Sequence, residues 1–198
     1  MASTQNRKQN VVVIGGGISG VTVVRELSKR LDRDRFNLIL IEPRSHCVWL
    51  PAVARLVVTS DEEFTETALL PFDELFVKDD KVVLKQDKVV SINEEGEEGG
   101  ELELVSGETL RYRGKSLYTR RPYVHPDTKS IAPVLVLATG SKWSGPIDLP
   151  DSEADLHQVL ARWHEKFKAA EDIVIVGGGA VGVELSGEIR DEYPVRLL

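Results

Sequence analysis

The sequence contains a single cysteine, Cys47, in 198 residues. One thiol can form no intramolecular disulfide and supplies no Cys-x-x-Cys pair, so neither a disulfide framework nor a dithiol redox centre is expected. This usage suits a reducing, intracellular setting; a cytoplasmic location is expected, with a mitochondrial one as the alternative. Positive charge is also in short supply, with 25 Lys and Arg against 32 Asp and Glu and a net charge of -7. Nucleic-acid grooves and anionic membrane patches are built from clustered Lys and Arg, so neither polyanion is an expected partner. No apolar run approaches the length of a transmembrane span. The opening residues Met1 to Asn10 are polar and lack the core of a signal peptide, and Ala2 stands where N-myristoylation needs glycine. No Cys or acidic ligand set accompanies His157 and His164 at metal spacing, so no metal site is expected.

With 41% hydrophobic residues the chain can still bury a core, as one domain or as one and part of another. Asn10 to Ile14 is an unbroken β-branched run, the pattern of a parallel strand buried on both faces, and it leads straight into Gly15-Gly16-Gly17. Val21, Val24, Leu27 and Leu31 then recur at helical spacing, and Phe36 to Ile41 gives a second apolar strand ending on Glu42. The acidic stretch Asp61-Glu62-Glu63 reads as solvated surface. Short strands at Val82 to Leu84, Val89 to Ile92, Glu101 to Val105 and Thr109 to Tyr112 predict an antiparallel meander. Val134 to Ala138 predicts another buried strand, and Asp151 to Ala170 a helix with Leu156, Leu160, Trp163 and Phe167 along one stripe. The opening pattern then repeats: Asp172 to Val176 predicts a strand, Gly177-Gly178-Gly179 a turn, and Val183 to about Glu192 a helix.

Gly15-x-Gly17-x-x-Gly20 therefore follows a strand and opens a helix, the setting in which this spacing carries meaning. Gly15 permits a tight turn, Gly17 close approach of the backbone to a pyrophosphate, and Gly20 close packing of helix on strand. The helix amides after Gly17, those of Ile18 and Ser19 among them, and the positive end of the dipole favour phosphate. Glu42, twenty-two residues beyond Gly20, is placed to accept hydrogen bonds from a ribose and would repel a 2′-phosphate, so NADP is not expected there. Gly177-x-Gly179-x-x-Gly182 is a second copy about 160 residues on. A simple dehydrogenase needs one nucleotide site, whereas a flavoenzyme reduced by a pyridine nucleotide needs two. A short-chain dehydrogenase is further disfavoured because no Tyr-x-x-x-Lys follows the first unit.

In the segments Val11 to Gly20, Ile39 to Arg55, Ala138-Thr139-Gly140 and Ile173 to Glu188 the chain resembles the two-dinucleotide flavoproteins of the apoptosis-inducing-factor, ferroptosis-suppressor and type II NADH dehydrogenase group. The resemblance implies an α/β fold: a Rossmann-like FAD-binding domain with a parallel sheet and a β-meander over 1–150. It implies a connecting helix and the start of a second Rossmann-like, NAD(P)-binding domain over 151–198. It further implies FAD at the first motif, NAD(P)H at the second, and electron transfer through the flavin to a quinone or other acceptor, with peripheral membrane contact known in the group. The residues it assigns to cofactors are Gly15, Gly16, Gly17, Ile18, Ser19, Gly20, Glu42, Arg55, the backbone of Val89, Ala138, Thr139 and Gly140, and, at the second motif, Gly177, Gly179, Gly182 and Glu184. No catalytic acid or base is identified. Relatives run to nearly twice this length, so a truncated, non-catalytic nucleotide-binding remnant is the alternative expectation. Residues 113–133 have no counterpart in the group's pattern. Their local basicity, from Arg113, Lys115, Arg120, Arg121 and Lys129 against Asp127, predicts an irregular, exposed insertion. Its Gly114-Lys115-Ser116 is no phosphate loop, because Thr109 stands where the opening glycine should be.

Overall fold

The structure, a computed structural model, describes residues 8–76, 82–96, 99–114, 116–118 and 135–194. In chain order the elements are β1 (Gln9–Ile14), α1 (Ile18–Arg30), β2 (Phe36–Ile41), β3 (His46–Val48), α2 (Val53–Leu56), α3 (Glu62–Ala68), β4 (Leu69–Pro71) and α4 (Phe72–Phe76). They continue as β5 (Val82–Lys85), β6 (Val89–Glu94), β7 (Gly99–Leu104), β8 (Thr109–Arg113), β9 (Ser116–Tyr118), β10 (Leu135–Leu137), α5 (Glu153–Ala169) and α6 (Ala180–Glu192). The chain divides into two compact units. The first is Met1–Cys47 with Pro71–Gly140, and the second Val48–Leu70 with Ser141–Leu198.

The first unit is built on a five-stranded sheet in the order β5-β2-β1-β10-β9, every pair parallel. β1 lies at its centre, and Val11, Val12 and Val13 are fully buried. Each such side chain contributes about 1.5–3 kcal/mol through burial, which is why an unbroken β-branched run settles between two neighbours. Side chains alternate across the sheet. Val12, Ile14, Ile39, Ile41 and Leu135 meet Leu102, Leu104, Leu110 and Tyr112 of the antiparallel meander β6-β7-β8 in one cluster, while α1 packs on β1 and β2.

The second unit is helical. Leu56, Val57, Val58, Leu156, Leu160, Phe167 and Ile189 form its core, with Trp163 partly buried beside them, so the apolar stripe expected on α5 is the face that packs. Asp61 caps α3 through Oδ1, which accepts from Phe64 N at 3.1 Å, and Ser152 caps α5 by accepting from Asp155 N at 3.4 Å. Such caps satisfy amides that have no partner within the helix. At the other end of α2, Leu56 O lies 2.9 Å from His164 Nε2, and Val58 O accepts from Tyr193 Oη at 3.4 Å. His164 thus ties α5 to α2, while His157 is exposed.

Several expectations need correction. Val82–Lys85 does not join the meander: it pairs parallel with β2 and forms an edge of the main sheet, leaving the meander three-stranded. The expected irregular insertion at 113–133 is not irregular throughout, since Arg113 ends β8 and Ser116–Tyr118 pairs parallel with β10 as the opposite edge. Residues 115 and 119–134 lie outside the described residues. Residues 48–70 belong to the same compact unit as residues 141–198. Asp172 to Val176 forms no strand beyond a single bridge at Ile173. Ile173 and Ile175 pack against the second core, but Val174 and Val176 are 72% and 95% exposed. The local sequence favours a buried strand, yet no neighbouring strand among the described residues covers its outer face. Asp61, Glu62 and Glu63 are exposed, as expected, and Asp61 serves in addition as a cap.

Candidate nucleotide site

β1 delivers the chain to Gly15, which adopts φ +102° and donates from its amide to Ile41 O at 2.9 Å. A side chain is barred there twice, by this left-handed backbone and by the carbonyl of Ala138, which occupies the place a Cβ would take. The Ala138 amide in turn donates to Ile14 O at 2.8 Å, so the turn after β10 lies against the turn after β1. Thr139 and Gly140 follow, both exposed. Gly17 is the N-cap of α1 and no side chain caps it. The first helical bond runs from Val21 N to Gly17 O at 2.9 Å, so the amides of Ile18, Ser19 and Gly20 precede it at the positive end of the helix. Around Gly17 a Cβ would meet nothing within 4 Å, and that open space adjoins the free amides. Gly20 sits on the carbonyl oxygen of Gly15 with no room for a side chain.

Glu42 follows β2 directly, with its amide donating to Lys85 O at 3.1 Å on β5. Its residue is only 7% exposed. A buried carboxylate requires hydrogen bonds, and it has them: Oε2 accepts from Gly16 N at 2.5 Å and Oε1 from Arg44 N at 3.1 Å. Each oxygen keeps further lone-pair capacity for a hydroxyl donor. Cys47 lies in the same unit, and burial, reinforced by the charge of Glu42, pushes its thiol above the ordinary range. The arrangement presents amides for an anion and a fixed carboxylate for sugar hydroxyls. Both are what the adenosine diphosphate end of a dinucleotide requires.

Of the residues expected at cofactors, the structure brings together Gly15, Gly16, Gly17, Ile18, Ser19, Gly20, Glu42, Ala138 and Thr139. Val89 opens β6 and packs against the cluster containing Ile14. Arg55 belongs to the second unit, where Nε donates to Glu188 Oε2 at 2.7 Å and Nη2 to Asp191 Oδ2 at 3.2 Å, both on α6. Its guanidinium also lies over the Phe64 ring, 5.7 Å from the centroid. The Glu188 carboxylate, more than any other group, holds Arg55 above its ordinary pKa. At the second motif Gly177 has φ +112°, Gly182 lies on the Gly177 carbonyl, and Val183 N donates to Gly179 O at 3.0 Å. The turn copies the first. Among the described residues, however, none lies within 4 Å of a Cβ built on Gly177, Gly178 or Gly179, and Glu184 is exposed. Sequence reasoning missed Phe72, whose ring lies against Gly16 and is 1% exposed. Nothing local in the sequence points to it, because the contact is tertiary. Among the described residues, no group of three or more His, Cys, Asp or Glu is arranged to hold a metal, and no helix is long and apolar enough to cross a membrane.

Comparison with known proteins agrees with this architecture. The chain is 38% identical over 139 residues to the FAD-dependent oxidoreductase FVFD30 of Flammulina velutipes, a match covering 70% of this chain and 37% of that protein. It is 27% identical over 186 residues to apoptosis-inducing factor 1 of Saccharomyces cerevisiae, covering 93% of this chain and 41% of the relative. The chain thus spans about two-fifths of the length of these relatives. Among solved structures, the sulfide:quinone oxidoreductase of Aquifex aeolicus superposes with a TM-score of 0.60 at 18% identity, over 96% of this chain and 42% of that one, and shares the fold. The pattern of pyridine nucleotide-disulphide oxidoreductases matches residues 9–192, both glycine motifs included, and the chain belongs to that family.

Proposed function

We propose that the first unit binds FAD through Gly15 to Gly20 and Glu42, and that the protein carries electrons from NADH or NADPH through the flavin to a quinone or another small acceptor. The observation that carries the reading is the buried Glu42 carboxylate, bonded to Gly16 N at 2.5 Å beside the open space at Gly17. Two anchors for one dinucleotide are thereby held in one unit. Bound there, FAD would supply the hydride-accepting ring, while this chain's residues hold its adenosine diphosphate end. Ile18, Ser19 and Gly20 would donate amides to the pyrophosphate, and Glu42 would accept from the ribose hydroxyls. Ala138, Thr139 and Gly140 would border the same cofactor, with the backbone of Val89 near its adenine. Gly177, Gly179, Gly182 and Glu184 form the corresponding proposal for NAD(P)H, with α5 and the residues after it as the start of that domain. With Cys47 the only cysteine, no dithiol relay within these residues accompanies the flavin. The reading implies a soluble acceptor or a peripheral encounter with a membrane from the cytoplasmic side. The test is to add FAD to the purified chain, remove the excess and record the visible spectrum. A retained flavin band that is lost in Glu42→Gln supports the site, and a colourless wild-type protein overturns it.

A second reading, that these residues bind nucleotide without turnover, is favoured by the exposure of Val174 and Val176 beside the second motif. Hydride transfer needs nicotinamide held at contact distance from the flavin. Steady-state NADH and NADPH oxidation with a soluble quinone, compared with a full-length relative, separates the two. Turnover within about tenfold of the relative, roughly 1.4 kcal/mol in barrier, overturns this second reading.

A further inference from the structure

Gly16 occupies the variable position of the first motif, where glycine is not demanded by the spacing. Its backbone is also ordinary, since it is absent from the glycines with positive φ. A Cβ there would nonetheless run into Cζ of Phe72 and come within 2.9 Å of Cγ of Glu42, so the ring or the acid would have to shift. The ring and the acid therefore converge on the same point beside the Gly16 amide. Phe72 opens α4, is 1% exposed, and is fixed by its amide donating to Ser45 O at 3.1 Å and by parallel stacking on Phe76 with centroids 6.3 Å apart. Gly178, at the same position of the second motif, meets nothing within 4 Å among the described residues.

We propose that Phe72 is a positioning residue for the nucleotide: its ring closes the space beneath Gly16 and beside Glu42, keeps water from the Gly16 N to Glu42 Oε2 bond, and so fixes the carboxylate for ribose hydroxyls. This rests on the reading of the first unit as a dinucleotide site. The physical basis is that a charge-assisted hydrogen bond is stronger when water is excluded. A smaller side chain would admit water or let the Glu42 side chain turn, and the acid's hold on the ribose would weaken without any loss of the phosphate-binding amides.

The two contributions separate experimentally by calorimetric titration of the chain with ADP and with 2′-deoxy-ADP. The wild type is expected to prefer ADP by about tenfold, the scale of one hydrogen bond to a charged group. Phe72→Leu should cut that preference at least threefold (about 0.65 kcal/mol) by weakening ADP while 2′-deoxy-ADP changes little. Phe72→Met, which keeps the core more nearly filled, gives the same readout should the leucine variant not fold. Gly16→Ala should also abolish the preference, and adding Phe72→Leu to it should restore part of it by vacating the space the new methyl needs. A wild type that binds neither ligand, or binds both equally, overturns the reading of the site together with this proposal. A preference that stays within twofold of wild type in the Phe72 variants overturns the proposal alone and leaves the site intact.

Discussion

Val12-Val13-Ile14-Gly15-Gly16-Gly17 and Val174-Ile175-Val176-Gly177-Gly178-Gly179 are nearly the same peptide in two settings. Both glycine turns put the first glycine at positive φ, and both set the last motif glycine on the first one's carbonyl. These features are local and come with the residues. What differs is everything supplied from elsewhere in the chain. The first turn has Ala138 against Gly15, Phe72 against Gly16 and Glu42 bonded to Gly16, whereas among the described residues none lies in the space of a Cβ on Gly177, Gly178 or Gly179. A glycine motif thus encodes the shape of a turn, while what packs around that turn comes from the rest of the fold.

That contrast breaks most readily at the first glycine of each motif. Gly15→Ala combines a strained backbone with a collision against the Ala138 carbonyl and is expected to destabilise the first unit by about 4 kcal/mol. Gly177→Ala meets only the backbone strain and should lose about 1–2 kcal/mol. Thermal melts of the two variants would show equal shifts if the second turn were as enclosed as the first. The strands provide the next test. Val12→Thr buries a hydroxyl at a fully enclosed position and should lower stability by about 2 kcal/mol. Val174→Thr, at the matching position but largely exposed, should stay within about 0.5 kcal/mol of wild type in urea unfolding.

The smallest effect reports on the first unit alone. Cys47, the only thiol, is pushed up by burial and then by the charge of Glu42, so it resists alkylation in the folded chain. A group whose folded pKa is raised contributes stability that is complete below the unfolded value and is lost as pH rises through the folded one. The urea midpoint should accordingly drift down above about pH 8.5, and Cys47→Ala should remove that component. Gly15→Ala should speed labelling of Cys47 at neutral pH, while Gly177→Ala should leave its rate unchanged.

The sequence carried the elements whose burial is two-sided and whose patterns are long. Phe36–Ile41 has the bounds its apolar run predicts, and α1 and α5 fall within a few residues of their stripes. Short segments were legible as strands but not as members of a particular sheet. Val82–Lys85 pairs with β2, far away in the chain, rather than with the meander that follows it. Ser116–Tyr118 lay hidden in a basic stretch that reads as an insertion. That the glycine turn and Glu42 lie at one end of the sheet was legible because turn, helix and acid belong to one strand-helix-strand unit, whereas the bond from Gly16 N to Glu42 was not. Phe72 was not, since its place depends on where α4 packs, and neither were the partners of Arg55, which come from α6.

The discontinuous second unit bears on how the protein is made. Residues 48–70 contribute Leu56, Val57 and Val58 to a core whose other half begins only at residue 141. At about 5–20 residues per second, a ribosome takes several seconds to add the intervening segment. Throughout that interval the nascent chain carries an apolar half-core whose packing partners do not yet exist, flanked by two portions of a unit that is itself unfinished until β10 emerges. Such a chain is an obvious client for a chaperone that shields short apolar segments. Slow codons placed between residues 70 and 141 would prolong its vulnerability.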